Sequence, residues 1–385
     1  MKKILIIVLI IVSSLLIIIV NGYKEIDNNL LSVYMDNERV ESIPDKGKGT
    51  YLKSVCDDEN IKTEWDNDKW GLFVSGLSKK VKCNIYFSSD VEKPSWQVDS
   101  VSSRNVLTTD IYTVRLVGSD NSNVNSSLDI SDIKFLVNSN EYEPISKSLE
   151  VLETKEDKVT YELKIHMLKG EGKLVLKINA GTLKDDSGNE SNSTDLDTGI
   201  TIAKNNDTKI LICKDYNNET KNSISAYYSN LVVDSTLIVD EIIKAKYDVV
   251  IYYNPYWGGR TFLNELYASD INVISQYNNY DAGLRVNDDT LEYAEGGTKT
   301  LVYSTNKNFL IKYIGESFNE YDGGMIRYWH FNSKVNVLYQ TTYNNVVYDK
   351  IGYLKENNVT WFNIGVSTFI NYAPIIEFIM GRLEE

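Results

Sequence analysis

The pattern of apolar residues changes character near Ala203, and that change rules out a single kind of fold for the whole chain. Before it, apolar and polar residues alternate in short runs separated by turn formers. After it, solid apolar runs alternate with helical stretches. Period-two alternation marks half-buried strands, whereas short solid runs between helices mark strands buried on both faces of a parallel sheet. One sheet cannot satisfy both patterns, so the chain divides.

The alternating part divides again at Pro94-Ser-Trp96. Ahead of it, residues 31–35, 39–43, 51–56, 70–74 and 82–87 read as strands, with Asp36-Asn37 as a turn. Beyond it, 96–102, 111–117, 133–137, 149–152, 158–167 and 172–178 read as the short strands of a β-sandwich. Lys204 to Thr208 reads as a short linker. Residues 209–213, 248–253 and 272–275 then predict buried strands, and 221–231, 236–244 and 260–268 predict helices, a βαβ order. Three more strands are expected at 325–331, 335–342 and 359–366, and a closing amphipathic helix at 371–380.

At the other end, Lys2 and Lys3 precede an apolar run from Ile4 to Val20, interrupted only by Ser13 and Ser14. Its length approaches the roughly 20 residues that cross a bilayer as a helix. Ile19-Val20-Asn21-Gly22 makes a poor cleavage site, so an uncleaved anchor is expected rather than a removed signal peptide. The flanking lysines place the remainder outside the cell. The expected localisation is the cell membrane, single-pass, with an extracellular C-terminal portion. The expected division is 1–22 transmembrane anchor, 23–93 small all-β module, 94–203 β-sandwich, and 204–385 α/β domain.

A net charge of −14 argues against nucleic acid, because phosphate binding needs a basic surface. Of three cysteines, Cys56 and Cys83 share the small module and form the disulfide candidate, while Cys213 lies far off and reads as a buried thiol. The alternative for the pair is two reduced core cysteines. No CxxC and no His-x-x-x-His spacing occurs, so a zinc site has no support, and neither metal nor cofactor is expected. Asp185-Asp186-Ser-Gly-Asn189-Glu190 gathers side-chain oxygens of the kind calcium takes. A hairpin turn with Gly188 at positive φ is the favoured reading.

Three stretches resemble known families. Val33 to Pro44, with Val55-Cys56-Asp57, Trp65-Asp66, Trp70-Gly71 and Lys82 to Phe87, resembles a small module of Firmicutes surface proteins, which implies anchoring and display. Gly172 to Asn189, with Ala180-Gly-Thr182 ahead of Asp185 and Gly188-Asn189, is similar to the end of bacterial Ig-like repeats. Lys209 to Cys213, Tyr247 to Pro255, Ile271 to Gln276 and Val359 to Gly365 resemble the class I glutamine-amidotransferase-like superfamily in its flavodoxin-like form. These resemblances imply an Ig-like β-sandwich over 94–203 and a flavodoxin-like, glutamine-amidotransferase-like α/β domain over 204–385.

That last resemblance implies a nucleophilic cysteine on a Gly-x-Cys-x-Gly elbow with His and Glu downstream. No such elbow exists here: Cys213 ends a strand between Ile212 and Lys214, and the only histidines are His166 and His330. A Cys213–His330 pair with a carboxylate such as Asp215 is conceivable, and it needs both groups within hydrogen-bond reach. The α/β domain is therefore expected to be degenerate and non-catalytic. The loop after residue 253 is the better candidate, because crevices at the carboxyl ends of parallel strands hold ligands. Tyr253, Asn254, Tyr256, Trp257, Gly258 and Gly259 are the expected binding residues, beside Tyr252. They would stack on a glycan or dock a protein. Aromatic packing at a sheet edge is the plain alternative, as is aromatic filling for the 20 of 27 tyrosines that follow residue 205. The expected function is display of a binding domain on an Ig-like spacer; an extracellular hydrolase is the alternative.

Overall fold

The computed structural model describes residues 31–58, 61–68, 70–75, 82–213, 218–253, 260–276, 292–295, 300–304, 308–320, 325–328, 330–364 and 370–383. They form three units in series.

The first unit holds β1 (Leu31–Met35), β2 (Glu38–Val40), β3 (Thr50–Cys56), β4 (Lys62–Asp66), β5 (Gly71–Ser75) and β6 (Cys83–Ser88). One sheet runs β2-β1-β6-β3, and β4 and β5 make a separate hairpin. Asp36 and Asn37 both take positive φ, which fits the tight turn whose twist matches the strands it joins. β1 and β6 are parallel, with Leu31 opposite Cys83 and Met35 opposite Phe87. Antiparallel pairing of β3 with β6 sets Cys56 directly opposite Cys83, and the two are joined by a disulfide. The core is small: Val33, Leu72, Ile85 and Phe87, with Tyr51 stacked on Trp65 beside it.

The second unit holds β7 (Ser95–Val101), β8 (Asn105–Leu107), β9 (Ile111–Ser119), β10 (Val124–Ser126), β11 (Ile133–Val137), β12 (Asn140–Glu141), β13 (Ser146–Thr154), β14 (Lys158–His166), β15 (Gly172–Ile178), β16 (Leu183–Asp185) and β17 (Thr194–Ala203). Sheets β12-β11-β15-β17-β8 and β13-β14-β9-β7 face each other. Alternation supplies the core: Tyr112, Val114 and Leu116 from one sheet and Leu174, Leu176 and Ile178 from the other are all buried.

The third unit holds β18 (Ile210–Cys213), α1 (Glu219–Ile224), β19 (Leu231–Val233), α2 (Val239–Ala245), β20 (Val249–Tyr253), α3 (Arg260–Ala268), β21 (Asn272–Gln276), β22 (Glu292–Glu295), β23 (Thr300–Ser304), α4 (Ile311–Ile314), β24 (Ser317–Glu320), β25 (Met325–Tyr328), β26 (Asn336–Tyr343), β27 (Val346–Glu356), β28 (Val359–Ile364) and α5 (Tyr372–Ile379). Its nine-stranded sheet runs β19-β18-β20-β21-β28-β27-β26-β23-β24. The first five strands are mutually parallel; the remaining four pair antiparallel. β18 is buried along its whole length, as a solid apolar run in a parallel sheet should be, and β28 is buried throughout although it carries Thr360 and Asn363.

Several expectations need correction. The N-terminal transmembrane helix is not part of the fold seen here. Residues 1–22 lie outside the described residues, which are mostly strand with five helices, and no described helix is long and apolar enough to cross a membrane. The α/β unit is flavodoxin-like only over its parallel half, since antiparallel strands extend the sheet. Its closing helix is not amphipathic: Tyr372, Ala373, Pro374, Ile375, Ile376, Glu377 and Ile379 are all buried, and Glu377 is satisfied inside by the Tyr228 hydroxyl at 2.7 Å. The helix expected over 221–231 stops at Ile224, and Leu231 instead begins β19.

The expected short linker, 204–208, is packed into the boundary between two units. Asn205 and Thr208 are fully buried. The Thr108 hydroxyl donates to the Tyr227 carbonyl, and Asn205 Nδ2 donates to Thr109 Oγ1 at 2.9 Å. Met167 of the sandwich belongs to the α/β core, and His166 packs edge-on against Tyr313 at 5.1 Å. The sandwich and the α/β unit therefore share one packed boundary.

Candidate functional site

Parallel strands in the order β19-β18-β20-β21-β28 reverse direction of winding between β18 and β20. Outside the carboxyl ends of strands at such a reversal, a crevice opens because the two following connections leave toward opposite faces. Register fixes which residues close these strands. Cys213 pairs with Tyr252, Tyr252 with Ser275, Ser275 with Asn363, and Asn363 with Gly352. These five positions form one row across five strands at the carboxyl edge.

The row lies on one face. Cys213 and Tyr252 belong to the core that packs under α2 and α3 with Val239, Ile242, Leu263 and Leu266. Ser275 and Asn363 alternate with Ile274, Phe362 and Ile364, which face the opposite core, so they point to the same side as Cys213. Lys350, two residues from Gly352 along β27, is also fully buried. Strand interiors that are apolar elsewhere thus turn polar at this edge. On the other face, the Tyr372 hydroxyl donates to Gln276 Oε1.

Two features of the row are chemically informative. Asn363 is 4% exposed, and its Oδ1 is buried without a hydrogen-bond partner. A buried acceptor left in this state costs about 1–3 kcal/mol. Burial, with the Cys213 thiol adjacent, raises the Tyr252 hydroxyl above its usual range, so it stays protonated and can donate. Tyr252 also lies against Phe262 of α3, with ring centroids 5.2 Å apart.

Of the expected binding residues, Tyr253 ends β20 opposite Gln276, and Asn254, Tyr256, Trp257, Gly258 and Gly259 lie outside the described residues, as does Asp215. Ser275 and Asn363 were not singled out from the sequence, although polar residues closing apolar strand runs were the available signal. The Cys213–His330 pairing does not form. His330 stacks on Tyr348 of β27, with centroids 5.1 Å apart, and β27 stands four strands from β18, about 19 Å at the usual strand spacing. The turn at Asp185 is the expected one: the Gly188 amide donates to the Asp185 carbonyl, and Gly188 has φ +86°.

No protein-family model and no curated protein matches the chain. Among solved structures, a GMP synthase protein from Thermoplasma acidophilum is similar over 46% of this chain and 93% of its own, at 8% identity and TM-score 0.34. A glutamine amidotransferase from Thermotoga maritima overlaps 46% of this chain and 83% of its own, at 8% identity and TM-score 0.29. The BIgI domain of the beta protein of S. agalactiae, solved bound to CEACAM1, overlaps 28% of this chain and 95% of its own, at 19% identity and TM-score 0.17. Likenesses this slight assign no activity.

Proposed function

We propose that this is a non-catalytic binding protein of an oxidising, extracytoplasmic compartment, which takes a glycan at the carboxyl edge of its α/β unit. The observation that carries the reading is the registered row Cys213, Tyr252, Ser275 and Asn363, with the unpartnered Oδ1 of Asn363 buried within it. Sugar hydroxyls donate to such an acceptor and accept from Tyr252 and Ser275. The two β units in series act as a spacer. Catalysis is disfavoured because no described imidazole reaches Cys213. The Cys56–Cys83 bridge supports the compartment, because disulfides are rare in reducing cytosol.

A glycan array probed with the full chain tests this, alongside Asn363→Leu and Ser275→Val. Both variants should fold and lose glycan retention at least tenfold. Retention unchanged in both, or no glycan retained by the parent chain, would refute the reading. Turnover of a bound glycan that disappears in Cys213→Ala would favour a hydrolase instead.

A further inference from the structure

Three carboxylates from distant parts of the sequence meet where the first unit joins the sandwich. Asp90 lies in the connector between β6 and β7, Asp120 follows β9, and Asp185 ends β16. One carboxylate oxygen from each lies within 4.8 Å of the other two. Three points so spaced share a centre no more than about 2.8 Å from each, close to the 2.3–2.6 Å at which calcium takes oxygen ligands.

The described residues supply no compensating cation: no described Lys or Arg pairs with any of the three. A second observation is independent of the clustering. Oδ2 of Asp90 is sealed from solvent and receives no hydrogen bond. Its other oxygen accepts from the Glu92 amide at 3.0 Å, which fixes the carboxylate. Asp185 is 3% exposed and held by Asn189, whose amide and Nδ2 donate to its two oxygens at 2.7 and 2.8 Å. Asp120 accepts from Ser122 Oγ at 3.0 Å. Each carboxylate is thus pinned by neutral donors and keeps lone pairs to give.

We propose that Asp90, Asp120 and Asp185 bind one calcium ion, which clamps the small β unit to the sandwich. The site deepens a junction already built from neutral hydrogen bonds: Thr50 Oγ1 to Asn189 Oδ1 at 2.7 Å, Ser88 to Ser187 at 2.8 Å, and Asn189 Nδ2 to the Asp90 carbonyl at 3.1 Å. Water completes the coordination. Magnesium fits less well, since it demands octahedral geometry at 2.0–2.1 Å, whereas calcium accepts irregular sets of oxygens.

The test is calorimetric titration of the full chain, stripped with EDTA, with CaCl2 and separately with MgCl2. One calcium site with Kd of about 10⁻⁴ to 10⁻³ M is expected, the range of extracellular modules. The melting temperature should rise with calcium and not with equal magnesium. Asp120→Asn should weaken calcium tenfold or more while melting like the parent in EDTA. Should Asp120→Asn not fold, Asp90→Asn carries the same expectation. No calcium heat from the parent chain, equal affinity for magnesium, or parent-like titration by the folded variants would overturn the assignment.

Discussion

Reduction of Cys56–Cys83 should loosen the first unit selectively. The bridge spans 27 residues of sequence. Closing a loop of that length removes about 12 cal/mol/K of unfolded-chain entropy in the chain-entropy picture, or ~3.5 kcal/mol at 25 °C. A core of four buried side chains, in a unit of this size, supplies only about 3–5 kcal/mol by itself, so the bridge accounts for much of what keeps the unit folded. Converted to an equilibrium, ~3.5 kcal/mol is a factor of roughly 400 in the folded-to-unfolded ratio. Amide hydrogen exchange followed by mass spectrometry isolates the effect, because it reports each strand separately. Peptides covering β6 should lose protection by about two and a half orders of magnitude on reduction, and those covering β9 should not change. Cys56→Ser should reproduce the loss without reductant. Unaltered exchange in β6, with the thiols shown free by mass, would refute the reasoning; equal loosening of β9 would show that the unit does not unfold separately.

Other consequences concern buried groups and one backbone position. Burial first, then Lys312 and Lys164, depress the His166 imidazole to about 4. The folded chain then binds fewer protons than the unfolded one below pH 6.5, so stability is full above 6.5 and falls by about 2–3 kcal/mol as pH drops toward 4. His166→Phe should flatten that fall in urea midpoints measured across the range. Burial raises the Glu377 carboxyl, against the pull of the Tyr228 hydroxyl and Arg382. Its contribution is therefore greatest in acid and declines as pH rises through the folded-state titration, and Glu377→Gln should remove that decline from melting temperatures. Gly172 has φ +121°, and a Cβ there would lie 2.2 Å from the Asn138 amide, which itself bonds the Glu171 carbonyl and the Lys173 amide. Gly172→Ala should cost at least about 2 kcal/mol in urea unfolding, from backbone strain and displaced bonds.

Local pattern was legible where burial follows one face. The expected strands at 133–137 and 172–178 and the helix at 260–268 coincide with β11, β15 and α3. β17 escaped notice because Asp195, Asp197 and Gly199 look like turn formers, although Ile200 and Ile202 keep the period of two. α5 misled for the opposite reason: one glutamate in an apolar run suggests a wet face, and only Tyr228, 149 residues away, shows that the carboxyl is buried. Pairings between remote segments leave no mark in local pattern. The row from Cys213 to Asn363 exists because β28 inserts beside β21, and the acidic junction exists because three connections converge. Asp185 drew attention through its neighbours Asp186 and Glu190, yet its partners in the cluster are Asp90 and Asp120.

The parallel pairing of β1 with β6 also has a mechanical meaning. Chain enters the first unit at the start of β1 and leaves for the sandwich at the end of β6, so tension along the polypeptide pulls these neighbours in opposite senses. Five registered residue pairs, Leu31–Cys83 through Met35–Phe87, are then sheared together instead of peeled one at a time. The bridge to β3 anchors the end of that ladder where β6 begins. Single-molecule pulling between residues 31 and 95 should register one abrupt rupture, and a gradual low-force extension would contradict this geometry.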